Sequence, residues 1–422
     1  MVLLVAVAVL VLGIPAMQRW LGGDGEDAGQ RPGATADTTV AGEEDQEQPT
    51  LRPEPPPNPV HAISIDFGIV TDPTTNWDDV ASRLDQVGAT TVDLGAGRVE
   101  FTAFDWAAHP EAAAEPGTDH LADAARRLSV AGDSSPRQVN LIVDAYVPEW
   151  ISSDPSVAGV DAAGKTSSYA ASAAQLYEGE VGDRLVAYVV ALGERYDPNA
   201  IQITELFLDR YAFGDDDLAL FVKMTGAEDW PRTKAGDIDT AAAAVGAWRS
   251  QVLAAFLTKM RTALDGVRDG AGSEIGLTAD VRVNWDDPSA GRPLSGHDYP
   301  TLLGAVDQLQ LWTYLGRSGS DGNNRPAGDI GELTGDLSDA GYDMSRFVIS
   351  VGLWAGPPDA VPPGRITPAQ LAAAAPAAQT NGIRAVNVTP YALMTPEHWT
   401  ALAAVWAVPA ATPSASPTSS PS

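Results

Sequence analysis

Short apolar runs alternate with helical patterns of apolar residues between positions 61 and 407. Each run has the length of a buried strand, and the segment behind it repeats its apolar residues with the period of an amphipathic helix. Eight such pairs follow one another, and no internal sequence repeat is visible. Strict alternation of strand and helix predicts a parallel sheet, and eight units predict a closed (β/α)8 barrel of the TIM type. The predicted strands cover 63–70, 91–95, 139–145, a run from 200, 275–283, 308–313, 347–353 and 385–388.

A doubly wound open sheet is the alternative architecture for the same alternation. In that fold a Gly-rich phosphate loop commonly follows the first strand, and this chain has none there. The missing loop favours the closed barrel.

The segments on either side of the barrel differ from it in composition. Residues 1–21 are almost entirely apolar and just reach the ~20 residues that a membrane span takes. No basic residue precedes this run and no good cleavage site follows it, which favours a transmembrane anchor over a cleaved signal. Residues 22–60 are acidic and Pro-rich, and 408–422 are rich in Pro, Ser and Thr, so both predict disorder. We therefore expect a protein held at the extracellular face of the membrane, or secreted.

Charge and residue supply exclude several classes of function. The 422 residues include 56 Asp and Glu against 26 Lys and Arg, a formal net charge of −30, which argues against nucleic acid and anionic membrane surfaces as partners. The chain has no Cys, and its five His show no metal-binding spacing. There is no GxSxG nucleophile motif either. We expect a monomer without a metal or another cofactor.

Alternation along the strands sorts their residues into a helix-facing set and an inward set. The apolar set should face the helices, because that layer is the larger core of a barrel. The inward set is then polar, whereas a purely structural barrel would fill it with Val, Ile and Leu. Four strands present an aspartate near their ends, and the pattern therefore predicts a ligand-binding or catalytic mouth lined by Asp66, Asp93, Asp144 and Asp280.

The fourth strand continues into the ionisable stretch Thr204-Glu-Leu-Phe-Leu-Asp-Arg210. Glu205 stands where barrel enzymes place their active-site residues. Its parity is that of the helix-facing Ile201 and Ile203, so a perfectly regular strand would turn it away from the lumen. We expect a curl or bulge at the strand end to bring its carboxyl inward. Asp209 is expected at the same rim, with a surface ion pair to Arg210 as the simpler alternative.

Carboxylates surrounded by aromatic residues favour a carbohydrate ligand. A pair of carboxyl groups can act as general acid with a base or nucleophile on a glycosidic bond. A single Trp is more often a core residue, but here a set of aromatic residues falls at or near the strand ends. They can stack on sugar rings, and they are Trp106, Trp150, Trp312, Tyr314, Trp354 and Tyr391.

Several short motifs carry a family resemblance by their order and spacing. They are Leu141-Ile-Val-Asp-Ala-Tyr-Val-Pro-Glu-Trp150, Glu194-Arg-Tyr-Asp197, Trp248-Arg249, His297-Asp-Tyr299 and Val306-Asp-Gln-Leu-Gln-Leu-Trp-Thr-Tyr314. Over most of 62–406 the chain resembles the family-10-like glycosyl hydrolases of bacterial secreted proteins, which are related to the hydrolase-like domain joined to poly-N-acetylglucosamine deacetylases. The resemblance implies a β/α barrel, an extracellular polysaccharide substrate and catalytic acids at the fourth strand. Thr204-Glu205 occupies that position, whereas the seventh strand has no acid, which excludes a layout with one catalytic Glu on each of these strands.

The first hypothesis is an extracellular, membrane-tethered glycoside hydrolase that acts on a polysaccharide. Glu205 would be the general acid, with Asp144 or Asp280 as its partner. Arg282, Asp66, Asp93, Asp209 and the aromatic set without Trp106 would bind the substrate. The alternative is a non-catalytic carbohydrate-binding barrel at the cell surface, which the missing acid on the seventh strand favours and the cost of burying surplus carboxylates disfavours. A scaffold of the cell envelope is a third hypothesis.

Overall fold

Eight parallel strands close into a barrel in the computed structural model, which describes residues 51, 56–267, 274–316, 324–356 and 364–406. Every strand pairs with the next in the chain, and the first also pairs with the last. The predicted single (β/α)8 barrel is therefore confirmed. The strands are β1 (Val60–Ile65), β2 (Thr91–Arg98), β3 (Gln138–Asp144), β4 (Ala200–Thr204), β5 (Gly276–Arg282), β6 (Gln308–Trp312), β7 (Phe347–Gly352) and β8 (Ala385–Thr389).

Helices connect the strands and cover the outside of the barrel. In chain order they are α1 (Phe67–Val70), α2 (Trp77–Gln86), α3 (His120–Leu128), α4 (Pro148–Ser153), α5 (Ala173–Glu178), α6 (Glu180–Tyr196), α7 (Asp215–Thr225), α8 (Ala243–Val267), α9 (Tyr299–Leu303), α10 (Gly328–Asp339), α11 (Pro368–Ala378) and α12 (Pro396–Trp406). None of the helices in the described ranges is long and apolar enough to cross a membrane.

Three antiparallel pairs of short strands lie in the loops of the described ranges. Phe101–Thr102 pairs back onto the end of β2, and Trp354–Ala355 pairs with Gly364–Arg365 after β7. The third, Ala158–Val160 with Thr166–Ala171, forms a hairpin between β3 and β4 that we call the β3–β4 hairpin. This hairpin lies on the same side of the barrel as the strand ends, because it follows the end of β3.

The apolar phase of the strands packs against the helices, as expected. Ile63, Leu94, Val143 and Ile203 are fully buried and belong to one large hydrophobic cluster with residues of the surrounding helices. Burying such side chains contributes roughly 1.5–3 kcal/mol each. This outer layer therefore contributes to the stability of the barrel, while the lumen holds polar groups.

The beginning of the barrel differs from its predicted bounds. The first strand ends at Ile65 instead of continuing to Val70, because Phe67 starts the short helix α1. Apolar runs of this length do not by themselves distinguish a strand from a buried helical turn. Leu51 is buried in the core and its carbonyl accepts the N–H of Val139, so the ordered contacts begin before residue 61. The segment 1–21, most of the linker 22–60 and the tail 408–422 lie outside the described residues.

Candidate active site

Inward polar side chains of neighbouring strands bind one another across the lumen. Asp93 accepts hydrogen bonds from the amides of Asn140 and Asn387, both at 2.7 Å. The Asn387 amide also lies 2.8 Å from the Ser64 hydroxyl. Burial raises the pKa of Asp93 to about 6, although these partners oppose the shift. The contacts join β8, β1, β2 and β3 and confirm which phase of the strands points inward.

Glu205 leaves the regular strand geometry immediately after the last residue of β4. Its backbone φ is +58°, in the left-handed region, which a non-glycine residue adopts at a cost of roughly 1–2 kcal/mol. The turn reverses the alternation, so the carboxyl points to the mouth, where Tyr146 hydrogen-bonds it and the charges of Asp144 and Arg282 act on it. The expected departure from regular geometry is therefore present. Its form is a single left-handed residue, not a bulge.

The environment of Glu205 favours the protonated carboxyl. The residue is only 8% exposed, and burial raises its pKa to about 8. The nearby negative charge of Asp144 acts in the same direction, whereas the Tyr146 hydroxyl and the Arg282 guanidinium favour the carboxylate. At neutral pH the group therefore carries a proton. A carboxyl with a pKa near the working pH meets the requirement for a general acid.

Asp144 stands beside Glu205 in a different environment. It is the last residue of β3 and pairs in register with Thr204 of β4. Arg98 Nε donates to Asp144 Oδ2 at 2.7 Å, and the backbone N–H of Tyr146 donates to its other oxygen at 2.9 Å. Its side chain is 23% exposed. A bulge in β2 beside Gly97 (φ +103°) shifts the parity and brings Arg98 inward to make this ion pair.

Asp280 is held more deeply than Asp144. It accepts a hydrogen bond from the Gln202 amide at 2.9 Å, and the side chains of Thr204 and Trp312 also hydrogen-bond it. It is 5% exposed, and burial raises its pKa to about 7. These contacts fix Trp312 in the mouth. They leave Asp280 little freedom to meet a substrate directly.

Arg282 and Asp209 form an ion pair on the β4–β5 side of the mouth. The Arg282 guanidinium also lies 3.7 Å from the ring centroid of Phe207. His297 holds this region together, because its Nδ1 accepts the backbone N–H of Arg282 and its Nε2 bonds the carbonyl of Leu206. Burial lowers the pKa of His297 to about 3, so the ring is neutral.

Five aromatic residues form one cluster that includes Tyr146, the hydrogen-bond partner of Glu205, and we call them the mouth aromatics: Tyr146, Tyr169, Phe207, Trp312 and Tyr314. Tyr169 comes from the β3–β4 hairpin and meets Tyr146 edge-on at 4.8 Å. Trp312 and Tyr314 stack at 5.6 Å with their planes 16° apart. The rings form an apolar wall beside the carboxyls, which is the kind of surface that sugar rings contact.

The wall continues to the end of β7. The ring of Trp354 lies 5.1 Å from that of Tyr314. Gly352 makes this possible, since a Cβ at this position would overlap with the Tyr314 ring. A glycine is therefore required at this close approach.

Two aromatic residues predicted to bind substrate lie elsewhere. Trp150, on α4, packs under the Arg184 guanidinium, 5.3 Å from its ring centroid. Tyr391 packs against Trp399 of α12, with ring centroids 5.3 Å apart. Neither belongs to the mouth aromatics. Both follow their strands outside regular β-structure, Trp150 on α4 and Tyr391 on a 3-10 turn, where the alternation of a strand no longer sets the direction of a side chain.

Asp66 also lies apart from Glu205, at the rim beside β1 and β8. Its carboxylate accepts the backbone N–H of Ala392 at 3.1 Å, and burial raises its pKa to about 6. Across the described ranges, no three His, Asp or Glu side chains converge in a way that would hold a metal ion.

The alternation along the strands does not predict four residues of the mouth. Phe207 is one of them, and it follows β4 in the ionisable stretch that ends at Arg210. The sequence does indicate Tyr146, because this residue follows Asp144 by two positions within the motif that carries the family resemblance. The sequence indicates Arg98 only weakly, through the two glycines at positions 95 and 97, which are typical of a bulge. Tyr169 comes from a hairpin that no pattern in the sequence places over the mouth.

Solved glycoside hydrolases have a similar fold. The PgaB (BpsB) glycoside hydrolase domain from Bordetella bronchiseptica matches with a TM-score of 0.57 at 13% identity, over 78% of this chain and 94% of that domain. The α-L-fucosidase isoenzyme 2 from Paenibacillus thiaminolyticus gives a TM-score of 0.58 at 14% identity, over 82% of this chain. The GH42 β-galactosidase Gan42B from G. stearothermophilus gives 0.57 at 12%, over 83% of this chain.

This chain spans only 48% of the fucosidase chain and 56% of Gan42B. No family model matches the sequence, and no curated protein matches it. The similarity is therefore one of fold. The chain has the barrel that these glycoside hydrolases share, as the resemblance of its sequence implied.

Proposed function

We propose that the protein is a glycoside hydrolase that cleaves a polysaccharide with Glu205 as general acid. The observation that carries the proposal is the Glu205 carboxyl at the end of β4, which is turned into the mouth and has its pKa raised by burial to about 8. It stands beside Asp144, which forms an ion pair with Arg98. Two carboxyl groups in such different environments divide the roles of acid and base.

The proposed roles follow from these environments. Glu205 donates its proton to the glycosidic oxygen as the bond to the leaving sugar breaks. Asp144, which forms an ion pair with Arg98, acts on the opposite side of the sugar ring as base for a water molecule or as nucleophile. Asp280 is a positioning residue, because its hydrogen bonds hold Gln202, Thr204 and Trp312.

The proposed substrate class rests on the mouth aromatics and on the similarity of the fold to solved glycoside hydrolases. Stacked rings beside buried carboxyls suit the apolar faces of sugar rings, and the similar barrels named above are glycoside hydrolases. We further propose that the enzyme works outside the cell, held by residues 1–21. This part of the proposal rests on the apolar run and the acidic linker of the sequence.

The test measures release of reducing ends from a panel of polysaccharides by the full-length chain. Glu205→Gln should lower turnover by ~10²–10⁴-fold, since a positioned general acid supplies about that much. Asp217→Asn is a matched control, because Asp217 is also buried, has a pKa raised by burial to about 7 and lies on α7 outside the mouth. Full activity of the Glu205 variant would refute the assignment.

A non-catalytic carbohydrate-binding barrel is the second candidate function. It is favoured by the lack of an acid on β7 and by the low exposure of Glu205. The same panel separates the two functions. Binding of a polysaccharide by the wild-type chain without release of reducing ends would establish the second.

A further inference from the structure

A cavity of about 270 Å³ opens beside the mouth, between the β3–β4 hairpin and the segment after β4. It is not one of the sites that the carboxyl pattern predicts. Three of its residues are charged and none of the mouth aromatics lines it. The wall includes Asp161, Ala163, Asp209, Arg210, Phe213 and Thr240.

The wall of this cavity is held firmly in place. Asp161 is 5% exposed, and its Oδ1 accepts the backbone N–H groups of Ala163 and Lys165 at the turn of the hairpin. Its Oδ2 binds Arg210 Nε and Nη2 at 3.0 and 2.8 Å. The backbone N–H of Phe213 donates a hydrogen bond of 2.9 Å to the carbonyl of Val160 in the β3–β4 hairpin. The cavity is therefore formed before a ligand arrives, which reduces the ordering cost of binding.

Hydrogen-bonding groups of both kinds are left over for a ligand. Asp161 uses only part of the five N–H donors of the Arg210 guanidinium. Arg282 binds one oxygen of Asp209 and leaves the other. The hydroxyl of Thr240, an exposed residue, adds a group that donates and accepts.

This mixture selects the charge of the ligand. An anion would meet the two aspartates, and a cation would meet Arg210. A neutral polyol satisfies all of these groups, because each hydroxyl both donates and accepts. A sugar unit without charge is therefore the ligand class that fits.

The cavity is linked to the catalytic carboxyl through one ion pair. Asp209 lines the cavity and binds Arg282, whose charge acts on Glu205. The stacked rings of Trp312 and Tyr314 and the tilted ring of Trp354 follow one another from β6 toward β7. The cavity and this row of rings are thus two separate surfaces of the mouth.

We propose that this cavity is a subsite for a neutral sugar unit of the substrate, and that the substrate extends from Glu205 past the Asp209–Arg282 ion pair into the cavity. The proposal deepens the proposed function and rests on it. It assigns Arg210 and Thr240 to substrate binding, and it predicts an enzyme that prefers long oligosaccharides to short ones.

The test fills the cavity from two walls, with Ala163→Trp and Thr240→Trp as separate variants of the full-length chain. Ala340→Trp, an exposed residue at the end of α10, is the control. The probes are cello- and chito-oligosaccharides from the disaccharide to the hexasaccharide. Binding is measured by calorimetry in the Glu205→Gln background, and hydrolysis in the wild-type background.

Filling the cavity should weaken binding of the hexasaccharide roughly ten- to hundredfold, the range for losing one or two hydrogen bonds to charged groups. Binding of the disaccharide and the behaviour of the control should stay unchanged. The subsite would be overturned if both filled variants bound the hexasaccharide as tightly as the unfilled chain does. It would also be overturned if the unfilled chain showed no preference for long oligosaccharides. If the subsite is overturned but the wild-type chain still hydrolyses the oligosaccharides, the proposed function stands. Binding that depends on the cavity without hydrolysis by the wild-type chain would overturn catalysis and keep the subsite.

Discussion

Glu205→Gln should make the protein more stable at neutral pH, in addition to its effect on turnover. The folded chain holds a proton on Glu205 up to about pH 8, whereas the unfolded chain releases it near the ordinary pKa of 4.5. Between these values the folded state binds more protons than the unfolded state, so the stability falls as the pH rises. Gln has nearly the same shape and no proton to lose, and it removes this dependence.

The size of the effect follows from the two pKa values. A tenfold change in proton affinity is worth about 1.4 kcal/mol, so the group costs the fold about 3 kcal/mol at neutral pH and about 5 kcal/mol above pH 8. The cost disappears below about pH 4, where both states are protonated. The Gln variant should therefore match the wild type in acid and exceed its free energy of unfolding by about 3 kcal/mol at neutral pH.

Urea denaturation followed by circular dichroism across this pH range measures the difference. Glu397→Gln is the control with opposite sign, because a hydrogen bond from Thr395 lowers the pKa of Glu397 at the start of α12. A Glu205→Gln variant that is no more stable than the wild type at neutral pH would show that Glu205 is ionised in the fold. The assignment as general acid would fail with it.

Two further predictions concern the groups that support the mouth. Arg98→Met should lower the free energy of unfolding by roughly 1–3 kcal/mol, because it leaves Asp144 without its cation. The control Arg83→Met breaks a surface ion pair worth at most about 1 kcal/mol. Thermal melts compare the two variants, and equal losses of stability would contradict the role of Arg98. Gly352→Ala should displace the Tyr314 ring at a cost of roughly 1–3 kcal/mol. Gly68→Ala has open space around its new Cβ, and near-ultraviolet circular dichroism that changes in neither variant would refute the close approach.

The sequence predicts the barrel and the polarity of its lumen, because both depend on regular alternation. Asp93, Asn140 and Asn387 have the right parity, and the structure brings them into contact. The same rule fails where the backbone stops being regular. Arg98 reaches the mouth through a bulge, and Glu205 reaches it through a left-handed residue. Tertiary contacts decide such local conformations, and the sequence of one strand does not contain them.

The loops are the least predictable part of the mouth. Trp150 and Tyr391 follow strand ends in the sequence, but one lies on a short helix and the other on a turn packed against α12. Tyr169 lies further along the chain and nevertheless joins the mouth aromatics. Proximity to a strand end in sequence is therefore a weaker guide than parity within the strand.

The buried carboxyls Asp93 and Glu205 differ in how well their surroundings compensate them. Asp93 receives hydrogen bonds from Asn140, Asn387 and Ser64, and its pKa rises only to about 6. Glu205 has one such partner, Tyr146, together with a strained backbone and a negative neighbour, and its pKa rises to about 8. A buried polar group that is poorly compensated costs stability, and strain of this kind persists only where the surrounding structure enforces it. Asp93 therefore helps to build the barrel, whereas Glu205 has the raised pKa that the proposed role of general acid requires.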